Sequence, residues 1–209
     1  MKKVMDKLKL AIKDNKKTIF FLGIIAVVAI IFGSLFSVML NESDKNLVSE
    51  YISSFFENIK NNNLNYAMAL KNGSISSLSY ILIVWLLGIS IIGMPIVLFM
   101  YFSKFFVIGF SISSIIKGYG LKGCLLSFAY IFPHQIIYII AYTMLSIYSI
   151  KMSIKLISTI IKKDKIDFKP IINKYLFVLL LSIITGLLAL LFEVFVTPKF
   201  INIILPILK

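Results

Sequence analysis

Residues 18–40 read TIFFLGIIAVVAIIFGSLFSVML, without one charged side chain. As a helix this run spans about 35 Å, more than the ~30 Å of hydrocarbon in a bilayer. The rest of the chain agrees with it. Of 209 residues 59% are hydrophobic, and the mean hydropathy is +0.97. A single soluble core of this size cannot hide that much apolar surface, so the solvent is lipid. The run is too long for the apolar core of a cleaved signal and no A-x-A site follows it, so it is expected to remain as an anchor.

Charge sets the orientation. The chain has 22 basic residues against nine acidic ones, and every basic residue is Lys. Arg is the usual choice for bidentate recognition of phosphate, so its absence argues against a nucleic-acid reader. One Cys and one His leave no intrachain disulfide and almost nothing for a zinc site, and no cofactor is expected. Residues 1–17 carry seven Lys and two Asp, net +5, which puts them in the cytoplasm. Val4, Leu8, Ala11 and Ile12 share a helical face among those lysines, as in a short basic amphipathic segment lying on the anionic inner leaflet. Residues 151–175 repeat the balance of seven Lys and two Asp and are expected as a second cytoplasmic segment.

These constraints predict an all-α polytopic membrane bundle of about five transmembrane helices. The expected spans are 18–40, 78–102, 105–116, a long and kinked fourth at 121–150, and 176–198. The amino terminus is inside, Lys104 is at the cytoplasmic end of the second span, and a tail over 199–209 is outside. Residues 105–116 reach only about 18 Å as helix, so a re-entrant excursion is the alternative there. The outer loop, 41–77, holds four acids and three lysines. Within it Leu47, Val48, Tyr51, Ile52, Phe55, Phe56 and Ile59 fall on one half of a helical wheel. Glu50, Ser53, Glu57 and Lys60 line the other, as in an amphipathic surface helix.

Few side chains inside the apolar runs carry chemistry. LGISIIGMP (87–95) places Gly88, Gly93 and Pro95 within an expected span, either as a broken helix at a transport site or as close packing with a kink. KGYGLKG (117–123) shares its GYG with a potassium filter, but flanking lysines would repel a cation, and a phosphate loop needs a different spacing. It reads as a turn between helices. YIFPHQIIYIIAY (130–142) contains the lone His134 and Gln135 beside Pro133. Pro133 frees the carbonyl of Ala129, and the two polar residues are expected to satisfy that kink. Catalysis by His134 would need a nucleophile, an acid or a metal, and no such constellation is present. In the last span Ser182, Gly186, Ala189 and Glu193 form one stripe. Glu193, the sole acid in any apolar run, is expected to face the bundle or a partner rather than lipid. Small residues at four-residue spacing suit close helix packing or a homodimer seam.

GISIIGMP, FPHQIIYIIA and FEVFVTP occur in this order across nearly the whole chain. Together they resemble the stage II sporulation protein M family. Its G-I-x-x-x-G-x-P pattern falls on Gly88, Ile89, Gly93 and Pro95. Its P-[HQ] segment falls on Pro133 and His134, ending at Ala141, and E-x-[FY]-x-[ST]-P falls on Glu193, Phe195, Thr197 and Pro198. Tyr138 stands where many broader members carry an acid, and Gln135 where they carry Gly, so a role for that acid does not carry over. The resemblance implies a non-enzymatic membrane scaffold at the septum and engulfing mother-cell membrane of endospore formers. Its partners would be stage II sporulation proteins D and P, hydrolases that remodel peptidoglycan. Glu50, Ser53, Glu57, Lys60 and Glu193 are then the candidate partner contacts. The rival reading is a permease-like subunit of a transport complex, supported by the Gly-Pro segment and opposed by the lack of an inverted repeat.

The orientation is directly testable. In a Cys124-free background, Ser53→Cys and Lys209→Cys should label with an impermeant thiol reagent in intact cells, and Asp164→Cys should not. A reactive residue 164 with a protected residue 209 overturns the five-span arrangement.

Overall fold

Backbone polar groups in lipid must be satisfied within the protein, which restricts an apolar chain like this one to helices or a closed barrel. The computed structural model describes residues 2–162 and 169–204, with side chains placed for 14–161 and 169–204, and every regular element in it is helical. The faces proposed for Val4, Leu8, Ala11 and Ile12, and residues 163–168 and 205–209, lie outside the described residues. The helices are α1 (Lys2–Met39), α2 (Glu42–Lys60), α3 (Tyr66–Gly88), α4 (Gly93–Tyr119), α5 (Leu121–Lys162), α6 (Lys169–Leu191) and α7 (Thr197–Ile204). A π-helical turn, Phe192–Val196, joins the last two.

Five segments are long and apolar enough to cross a bilayer: Asp14–Met39, Tyr66–Gly88, Gly93–Tyr119, Leu121–Ile161 and Lys169–Ile204. The chain is a multi-pass membrane protein. The number of spans is the expected one, but the second and third are divided elsewhere. The apolar run over 78–102 breaks at residues 89–92, so its first part closes α3 and its second part opens α4. Residues 105–116 are the C-terminal half of a full-length helix rather than a short span. Lys104 consequently lies about 16 Å along α4 instead of at its cytoplasmic end.

The break has a physical cause. Gly88 and Gly93 are weak helix formers. Pro95 occupies the first turn of α4, where a missing N–H costs nothing. Ser153, from α5, then closes the gap: its hydroxyl donates to the Ser90 carbonyl (2.9 Å) and accepts the Met94 N–H (3.2 Å). Pro95 therefore starts a helix rather than kinking one. Gly88 leaves room for Ser149 and the Tyr175 hydroxyl, which a Cβ would strike.

α5 continues through Pro133 as one helix of 42 residues, or about 63 Å. The basic segment 151–175 covers the last turns of α5 and the start of α6, and residues 199–204 of the expected tail belong to α7. Gly120, with φ of +60°, makes the turn between α4 and α5, a conformation only glycine adopts cheaply. At the end of the bundle that holds this turn, Phe56 and Ile59 of α2 pack with Ile115, Leu126 and Ile201.

α1 rests mainly on α4. Their backbones approach so closely that a Cβ on Gly33 would strike the Phe106 carbonyl, and one on Gly109 the Ile30 carbonyl. Serines knit the same seam: Ser34 donates to the Gly109 carbonyl (3.1 Å), Ser113 to the Ser34 carbonyl (3.2 Å), and Ser37 pairs with Ser114 (2.9 Å). Gly109→Leu should lower thermal stability in detergent by on the order of 1–3 kcal/mol. Gly23→Leu, at a position with nothing within 4 Å, should leave the melting temperature unchanged. Equal melting of the two variants would refute this seam.

Candidate functional site

Helical spacing of four aligns Tyr130, His134, Tyr138 and Tyr142 on one face of α5. The rings follow one another: Tyr130 to His134 at 5.9 Å, His134 to Tyr138 at 6.2 Å and Tyr138 to Tyr142 at 5.4 Å between centroids. Tyr142 then meets Tyr80 of α3 at 4.4 Å. At the outer end Phe55 of α2 reaches Tyr130 at 5.0 Å. The face thus joins α2 to the middle of the bundle.

Across from it lies the π-turn. Pro198 has no N–H to offer the carbonyl four residues earlier, and the chain responds by widening one turn. The Thr197 N–H bonds back to the Phe192 carbonyl, five residues away. The Thr197 hydroxyl donates to that same carbonyl (3.3 Å). Its oxygen is then left to accept from Nδ1 of His134, at 3.3 Å. That arrangement calls for the neutral tautomer protonated on Nδ1. His134 is 2% exposed and ties α5 to α7. It reaches across to Thr197 rather than back to the Ala129 carbonyl, the role expected of it beside Pro133.

The π-turn also sets Glu193. Of its stripe, Ser182, Gly186 and Ala189 are buried in the bundle. Glu193 follows them inward, half-buried, and its Oε2 accepts the Tyr138 hydroxyl at 3.3 Å. Close by is Lys104, expected instead at the cytoplasmic end of the second span. Its ammonium sits over the rings of Tyr80 (4.8 Å) and Tyr142 (5.5 Å), where the ring quadrupoles attract a cation. Ser76, Ser77, Lys104, Gln135, Tyr138 and Glu193 line one cavity of about 170 Å³. Gln135, two residues beyond Pro133, thus also lines this cavity. Gly186 supports the wall, since a Cβ there would crowd Ile81 and Ser77. One signal could have located the pocket: a lone Lys within an otherwise uncharged run is costly unless the protein surrounds it.

The other candidates lie apart, on α2. Glu50, Glu57 and Lys60 are exposed, while Ser53 is half-buried and donates to the Glu50 carbonyl (3.0 Å). α2 begins on Asn41, whose side chain accepts the Asp44 N–H (2.8 Å). It ends against α7, where Asn202 donates to the Ile59 carbonyl (3.4 Å). The apolar half divides: Phe56 and Ile59 are buried, whereas Leu47 and Tyr51 remain open. No group of three or more His, Cys, Asp or Glu residues able to hold a metal occurs among the described residues. The family model described as Stage II sporulation protein M matches residues 18–198. No curated protein and no solved structure matches the chain.

The His134–Thr197 bond makes a measurable prediction. His134→Ala and Thr197→Val should each lower thermal stability, and the double variant should lose less than their sum. Side-chain bonds within membranes couple by about 0.6 kcal/mol on average, with a maximum near ~1.7. Strict additivity in detergent melting would show that the two side chains do not interact.

Proposed function

The chain belongs to the stage II sporulation protein M family, which gives it a role in sporulation, and from that premise we propose that it is a membrane scaffold without catalytic activity of its own. In this reading it localises peptidoglycan-remodelling hydrolases, stage II sporulation proteins D and P, at the septum and the engulfing mother-cell membrane.

The observation that carries the proposal is how α2 is held. A scaffold for extracytoplasmic enzymes has to present a surface outside the bilayer in a fixed position. α2 is anchored along one side by Phe56 and Ile59, and Tyr119 and Tyr130 pack edge-on against Phe56. Its opposite side leaves Glu50, Glu57 and Lys60 exposed. Fixing the helix before a partner arrives reduces the ordering cost of binding. Oppositely charged side chains along one line favour a partner with a complementary charge pattern over others. Glu193 is a weaker candidate contact, because it faces the inner cavity rather than the outer surface.

Glu50→Lys combined with Glu57→Lys should leave membrane insertion intact, since acids in loops contribute little to topology. It should weaken co-purification of the two hydrolases from sporulating cells and stall engulfment. Phe56→Asp should instead lower the amount of protein, by removing a buried anchor. Normal capture and engulfment by the double variant, at normal protein level, would exclude this docking surface.

A further inference from the structure

The cavity between α3, α4, α5 and the π-turn brings together three polar groups with unused hydrogen-bonding capacity. The Lys104 ammonium, with three N–H donors, lies over two ring faces and feels the Glu193 carboxylate across the cavity, but makes no hydrogen bond among the described residues. Glu193 has one oxygen engaged by Tyr138, while Oε1 receives no protein donor among the described residues. Ser77 is 4% exposed, its hydroxyl lies toward those of Tyr138 and Tyr142, and it makes no hydrogen bond within the ordinary distance and angle limits. Burial of such groups costs free energy unless something pairs with them. Here they converge on one space from separate helices.

We propose that this cavity is a binding site for a small zwitterion, a molecule of amino-acid size that carries one carboxylate and one ammonium. The carboxylate accepts from Lys104 and Ser77, and the ammonium donates to Glu193. A lone anion would be repelled by Glu193, and a lone cation by Lys104. A zwitterion completes both, and its charges cancel on entry to a low-dielectric site. The size agrees: the cavity is about 170 Å³, and a cavity of ~150 Å³ admits benzene.

The route in is from outside. α3 has the lowest mean hydropathy of the five spans, 1.3. Asn72, Ser76 and Ser79 share one exposed face of it, and Ser76 and Ser77 line the cavity. This polar track leads from the extracytoplasmic end of α3 to Lys104. The site is independent of the docking surface on α2, so either can fail without the other.

The test is titration of the full-length protein in lipid nanodiscs, read by calorimetry and by melting temperature. L-Alanine is the zwitterionic probe, propionate lacks the ammonium, alaninamide lacks the carboxylate, and phenylalanine exceeds the cavity. Alanine should bind saturably and raise the melting temperature, with the other three at least about tenfold weaker. Glu193→Gln and Lys104→Met should abolish alanine binding. Because either substitution can also disturb folding, Ser77→Ala is the decisive variant. It removes a hydroxyl that makes no hydrogen bond within the ordinary limits, so it should melt like the wild type in the absence of ligand yet bind alanine about tenfold more weakly. The proposal is overturned by absence of saturable alanine binding, by equal responses to propionate and alaninamide, or by Ser77→Ala binding alanine like the wild type.

Discussion

A polar side chain at membrane depth has no water to turn to, and in this protein α5 supplies most of the partners. Its inward face meets each neighbour with a different group. His134 holds α7 through Thr197, and Tyr138 holds the π-turn through Glu193. Tyr142 lies beneath the Lys104 ammonium of α4, and Thr143 bonds Tyr101 of the same helix (3.0 Å). Further inward, Ser149 contacts the Tyr175 hydroxyl of α6 (2.8 Å), which donates onward to the Trp85 carbonyl of α3 (2.7 Å). Ser153 closes the junction between α3 and α4. Apolar packing alone discriminates weakly among helices in lipid, because lipid tails are as apolar as leucine. These bonds supply the discrimination, and they set the register in which the helices meet.

The same dependence explains what could be read from the chain. Helical class, number of spans and the amphipathic α2 follow from composition and periodicity, which are local. So does the turn at KGYGLKG, where Gly120 takes the left-handed conformation. The division of 78–102 was not legible, because residues 89–92 are Ile, Ser, Ile and Ile and hydropathy runs through them unbroken. The group that stabilises the break, Ser153, lies about sixty residues later in sequence. Once that boundary moved, Lys104 moved with it from a loop to the interior. Glu193 was legible as a residue that turns inward, yet its cationic neighbour was not.

Two regions therefore differ in kind. The outer layer of α2 and α7 is fastened by aromatic and aliphatic contacts, with Asn202 adding a bond to the end of α2. The inner cavity is incompletely fastened, with charges from two helices facing a common space. The line of rings from Phe55 through Tyr130, His134 and Tyr138 to Tyr142 runs between them. A rigid line of this sort sets where α2 stands relative to the bundle interior, although the two ends expose different chemistry.

The seam between α1 and α4 also bears on how the protein is made. Ser34 and Gly109, which bond across it, are 75 positions apart in sequence. Ribosomes add roughly 5–20 residues per second, so α1 precedes its mate by about 4–15 s. Throughout that interval Gly33, Ser34 and Ser37 face lipid or the insertion machinery with no helix to receive them. α1 thus enters the bilayer on its own hydropathy and is recruited to the bundle only after two further crossings have been synthesised. An insertion factor that shelters small, polar-flecked helices during this delay would act on α1 before any other part of the fold exists.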